Sequence, residues 1–106
     1  MRDFVEFLKS KGRIYKKIES IAPKDIGVRN KIEIYHCVDL KGYYSLTITI
    51  TQKSRVLQKD VEKYNNIFNK CVSYLDHNCK YKLLIIESPL CSKAAAKFKE
   101  QGWILL

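Results

Sequence analysis

The chain has no Gly-rich phosphate loop, no G-x-S-x-G and no H-E-x-x-H, so three common catalytic signatures are missing. It also has no C-x-x-C pair. The four cysteines, Cys37, Cys71, Cys79 and Cys91, stand 34, 8 and 12 residues apart. The two histidines, His36 and His77, make no pair with metal-ligand spacing. Reduced thiols serving as small apolar side chains are therefore expected. Glycine (4) and proline (2) are scarce, and with 46% apolar and 29% charged residues this excludes disorder and low complexity. The longest apolar run, around Lys82 to Ile86, falls far short of the ~18 residues that cross a bilayer. No apolar segment follows Met1-Arg2-Asp3-Phe4, so no secretory signal and no membrane partner are predicted. A cytoplasmic, soluble protein is expected.

What is present is positive charge. Twenty Lys and Arg against 11 Asp and Glu give a net charge of +9 on 106 residues. That surplus favours polyanionic partners, nucleic acid first among them. The length suits one domain, residues 1–106, without repeats or linkers.

Periodicity then divides the chain. Arg2 to Lys9 places Phe4, Val5 and Leu8 at helical spacing before Gly12. Ile14 to Ser20 alternates like a half-buried strand, and Ala22 to Asn30 reads as a connection. Lys31 to Val38 alternates again, Asp39-Leu40-Lys41-Gly42 supplies a hairpin turn, and Tyr43 to Thr51 is dense in β-branched and aromatic residues. Ser54 can cap a helix over Arg55 to Asp76 whose apolar stripe is Leu57, Val61, Tyr64, Phe68, Cys71 and Leu75. Lys82 to Glu87 resembles a strand buried on both faces. Ser92 to Gln101 reads as a helix closed by Gly102, and Trp103 to Leu106 as a last strand. The order α-β-β-β-α-β-α-β predicts a three-layer α/β domain, a mixed β-sheet flanked by helices.

One stretch stands out: Ile50-Thr51-Gln52-Lys53 at the end of the third strand, with Glu33 on the preceding strand 18 residues before Thr51. Here the chain resembles the PD-(D/E)XK nuclease superfamily, in particular its archaeal Holliday-junction-resolvase-like branch. In that family an acid on the second strand precedes an (Asp/Glu)-x-Lys on the third by about this distance, and a further Glu often comes from the first helix. The resemblance implies a restriction-endonuclease-like fold over nearly the whole chain. It places Glu33 at the first acid, Lys53 at the motif lysine and Glu6 at the first-helix acid. Thr51 stands where the second acid belongs, which is a departure. In such a site two carboxylates hold Mg²⁺ and the lysine supports the nucleophile. A neutral hydroxyl is a poor substitute, so a degenerate site is expected, with no cofactor. The residue-level alternative is a solvated cross-strand pair of Glu33 and Lys53, with Thr51 ending a ladder of Thr47 and Thr49.

Three readings remain open. The first is a nuclease-like domain that binds DNA, or a DNA-bound protein, without cleaving it. Lys53, Arg55, Lys59 and Lys63, joined by Lys11, Arg13, Lys16 and Lys17, would form one basic surface for phosphates. The second is a Mg²⁺-dependent DNA endonuclease using Glu33 and Lys53, with Glu33 and Glu6 on the metal. The third is a protein-interaction subunit, and a homodimer is compatible with each. Tyr43 and Tyr44 are candidates for base stacking, or for half-buried packing on the sheet.

Overall fold

A computed structural model of the chain describes residues 4–10, 12, 14–28, 32–51, 54–75 and 79–106. Helix α1 (Phe4–Ser10) leads into β1 (Tyr15–Ile21), a 3₁₀ turn (Pro23–Ile26), β2 (Ile32–Asp39) and β3 (Tyr44–Ile50). Helix α2 (Gln58–Leu75), β4 (Tyr81–Ile86), α3 (Ser92–Glu100) and β5 (Trp103–Leu105) follow. The five strands form one mixed sheet in sequence order. β1, β2 and β3 are antiparallel neighbours, whereas β3–β4 and β4–β5 are parallel pairs. A parallel neighbour needs a crossover, and α2 and α3 are those crossovers. The α/β class, the mixed sheet and the element order are as the sequence predicts.

Strand alternation sorts the side chains into two faces. Ile32, Ile34, Leu46, Ile48, Ile50, Leu84 and Trp103 share a cluster with Val61, Tyr64, Ile67 and Cys71 of α2 and Ala94 and Phe98 of α3. At its centre Phe98 meets Tyr64 and Trp103 with ring centroids 6.2 Å and 6.0 Å apart. The Trp103 indole N–H donates to Asn65 Oδ1 at 2.7 Å, so its polar edge stays satisfied inside the core. On the second face Cys37, Ser45, Thr47, Thr49, Leu83 and Ile85 are buried. The turn after α1 brings Gly12 into a groove with Tyr81 and Ile104, which belong to this face. α1 therefore lies on that side, with Leu8 buried.

Three expectations are corrected. Ser54 does not cap α2, because the chain stays extended to Leu57: Val56 pairs with Leu90, its N–H donating to the Pro89 carbonyl at 2.8 Å. The cap is made from within instead, Asp60 Oδ2 accepting the Leu57 N–H at 2.9 Å. Leu57, ahead of the helix, is exposed, while Ile67 takes a place in the buried stripe. Finally, β1 carries a bulge between Tyr15 and Lys17, so its alternation is not continuous.

Phe98→Ala is expected to cost about 3–5 kcal/mol, because the cavity would lie between α2, α3 and β5. Leu57→Ala should change stability by less than about 0.5 kcal/mol. Urea unfolding of both variants checks the contrast.

Candidate functional site

The β2–β3 ladder sets the geometry around Glu33. Its partner across the ladder is Thr49, and Ile32 pairs with Ile50. Thr51 follows the last residue of β3, is exposed, and lies one step beyond that pairing. The residue opposite Glu33 is therefore Thr49, not Thr51, although both are neutral hydroxyls. Lys53, Arg13, Lys11 and His77 lie outside the described residues. Glu6 is exposed on α1.

Glu33 is half-buried and accepts a hydrogen bond from the Tyr35 hydroxyl at 3.0 Å. Burial, then this bond to Glu33, push the Tyr35 hydroxyl up to about 12. Next along the same face, burial pushes the Cys37 thiol up to about 11, although the neighbouring Thr47 and Ser45 hydroxyls act the other way. Thr49 is buried with no hydrogen-bond partner for its hydroxyl among the described residues. This face favours neutral groups.

The donor set does not fit a hard divalent cation. Such an ion needs several oxygens, with more than one of them anionic to compete with water. Across from Glu33 the ladder offers only a threonine hydroxyl, and among the described residues no group of three His, Cys, Asp or Glu could hold a metal ion. No step through Mg²⁺ follows from these residues.

Among the described residues, the basic side chains do not converge on Glu33. Arg55 precedes α2 in extended chain rather than lying on its first turns. Lys59 and Lys63 line a groove between α2 and Gly27–Val28, with Lys70, Asn66 and Glu62. That groove belongs to the α2 side of the sheet. Lys17 sits at the far end of β1, opposite Val38, and its ammonium is 2.9 Å from Glu19 in an exposed ion pair. Lys16 occupies the neighbouring bulge. The described members of the basic surface predicted from sequence thus fall in separate places, Lys59 and Lys63 on α2 and Lys16 and Lys17 on β1. Lys70 is a further residue of the α2 groove, outside the basic surface expected from sequence. Its helical spacing from Lys59 and Lys63 was legible, but the groove wall supplied by Gly27 and Val28 was not.

The four cysteines are free thiols. Burial pushes Cys71 and Cys79 up to about 11. Cys91 differs: the Ala94 and Lys93 backbone N–H groups at the start of α3 hold its thiol below the usual value, with a smaller contribution from Arg55.

No family model and no curated protein matches the chain. Among solved structures it is similar to EndoMS in its apo form, with a TM-score of 0.45 and 12% identity. The likeness covers 99% of this chain and 46% of that one, so the chain spans less than half of its neighbour. At this distance the likeness carries no inference about activity.

Two outcomes follow. With a thiol reagent at neutral pH, Cys91 should label first, while Cys37 and Cys71 react only on unfolding; mass spectrometry of partial labelling reads the order. Tyr35 and Tyr64 both titrate near 12 rather than 10, Tyr64 chiefly through burial. The folded state therefore holds their protons more tightly, a contribution fully present below pH 10 and lost as pH rises from 10 to 12. Stability should fall across that window, and Tyr64→Phe should reduce the fall.

Proposed function

We propose that this is a nucleic-acid-associated domain of nuclease-like architecture that binds DNA through phosphate contacts and does not cleave it. The observation that carries the reading is the groove lined by Lys59, Lys63 and Lys70 along α2, with Asn66 as a further donor. The three lysines span 12 residues of helix, about 16 Å of rise, a scale suited to backbone phosphates. Glu62 shares the groove and limits its local charge, so affinity rests on a few contacts together with the net charge of +9. Contacts of this kind position a duplex without reading its sequence. The pairing of Glu33 with Thr49 supports the absence of cleavage, since the second carboxylate is missing from the ladder.

The test is a DNA titration at two salt concentrations. Micromolar-range binding at low salt is expected, weakening steeply as salt rises, with the log–log slope changing by about 1 for each of Lys59→Gln, Lys63→Gln and Lys70→Gln. No Mg²⁺- or Mn²⁺-dependent cleavage of linear or branched DNA is expected from the same preparation. Absence of low-salt binding would overturn the proposal in favour of a protein-interaction subunit. Cleavage abolished by Glu33→Ala or Lys53→Ala would overturn it in favour of an endonuclease.

A further inference from the structure

Six large hydrophobic residues are exposed among the described residues, and four of them gather at one end of the sheet. These are Ile14 just ahead of β1, Leu40 and Tyr43 in the β2–β3 hairpin, and Tyr44 at the start of β3. A groove there is lined by Ile14, Leu40, Lys41, Tyr43, Lys80 and Tyr81. The Lys80 ammonium lies 3.7 Å from the Tyr43 ring centroid and 5.5 Å from that of Tyr81. The two rings meet edge to face at 6.5 Å.

The hairpin holds this arrangement rigidly. Asp39 Oδ1 accepts the backbone N–H groups of Lys41 and Tyr43, each at 2.9 Å. The Asp39 N–H donates to the Tyr43 carbonyl, and Gly42, at φ +89°, donates to the Asp39 carbonyl, both at 3.0 Å. The Lys80 N–H donates to the Tyr44 carbonyl at 2.8 Å. The one acid in the groove is thus turned onto its own turn, and the backbone under the rings is ordered before any ligand arrives. Preorganisation of this kind lowers the entropic cost of binding.

The exposed Tyr43 ring, with the Lys80 ammonium over its face and Lys41 in the same groove, matches a ligand that is both flat and anionic, whose base would take the face that Lys80 covers while its phosphate draws the ammonium aside. Protein interfaces also use tyrosine, but their cores are depleted in lysine. Stacking on tyrosine with lysine at the phosphate is how unpaired strands are held irrespective of sequence. We propose that this end of the sheet is a stacking site for an unpaired nucleotide of single-stranded nucleic acid, Tyr43 carrying the base and Lys41 and Lys80 the phosphates. The site is distinct from the α2 groove. Gly27–Val28 precede β2 and the hairpin follows it, about 25 Å away along eight residues of strand.

Fluorescence anisotropy with a labelled thymidine dodecamer and a blunt duplex of equal length, at low salt, tests it on the whole chain. Tyr43→Ala should weaken single-strand binding about tenfold or more, leave blunt-duplex binding unchanged, and keep the wild-type circular dichroism spectrum. Tyr43→Phe should stay within about threefold of wild type, because the ring and not the hydroxyl stacks. Thymidine monophosphate should compete far more weakly than the strand. Unchanged single-strand binding in Tyr43→Ala overturns the proposal, as does equal competition by the mononucleotide. A dimer that Tyr43→Ala dissolves overturns it in favour of a self-interface. Binding to the duplex but not to the strand defeats this proposal alone, whereas binding to neither also defeats the α2-groove reading.

Discussion

The burial of β3 on both faces is the constraint on which the rest of the structure depends. From Ser45 to Ile50 every residue of the strand is buried. Leu46, Ile48 and Ile50 enter the helical core, while Ser45, Thr47 and Thr49 point the other way and are closed off as well. A strand in this position cannot leave either edge unpaired, so β2 takes one side and β4 the other. The parallel pairing with β4 then demands α2, and α2 must be amphipathic to cover the apolar face. Even the loops obey it: the Glu87 N–H donates to the Ile50 carbonyl and Lys80 to that of Tyr44, one tie at each end of β3.

The second face of that strand explains the chemistry around Glu33. Three hydroxyls and the Cys37 thiol stand in the interior, where leaving a hydroxyl without a partner costs about 1–3 kcal/mol. The surroundings that raise Cys37 and Tyr35 penalise charge, and they would penalise further carboxylates in the same way. Glu33 itself is only half-buried and accepts the Tyr35 hydroxyl. A hydroxyl ladder is therefore more than the loss of an acid at one position. The whole row from Ser45 to Thr49 has the composition of a neutral interior.

Strand alternation made much of this legible. Tyr43 to Thr51 is legible as a strand because it alternates strictly and is dense in β-branched and aromatic residues. Gly102 is recognisable as a left-handed cap and Gly42 as part of a hairpin turn, and both adopt positive φ. The failures have one cause, which is that pairing partners distant in sequence leave no local signal. Ser54 looked like a cap because nothing nearby announces that Val56 will pair with Leu90, 34 residues on. The 18-residue spacing from Glu33 pointed to Thr51, but the register depends on the length of the hairpin turn and selects Thr49. Lys16 and Lys17 were grouped with the α2 lysines because a charge count carries no coordinates.

The cations behind the net charge of +9 are not equally available to a partner. Lys82 is a structural residue. Its ammonium lies 5.2 Å and 5.3 Å from the Phe68 and Trp103 rings and donates to the Gln101 carbonyl at 2.6 Å. Burial lowers its pKa, as expected of a cation partly withdrawn from water. Lys17 is engaged by Glu19, and Lys80 by the Tyr43 ring, though both remain at the surface. The helices leave this end of the core face uncovered, and it is finished instead by Lys82 and by Tyr44 stacked on His36 at 5.2 Å. Charge here partly replaces apolar cover. A polyanion would therefore meet an uneven distribution of cations: a row along α2 on one side of the sheet, and ammonium groups set against aromatic rings at the hairpin end. The first suits a regular backbone that presents only phosphates, and the second suits a strand whose bases are free to turn outward.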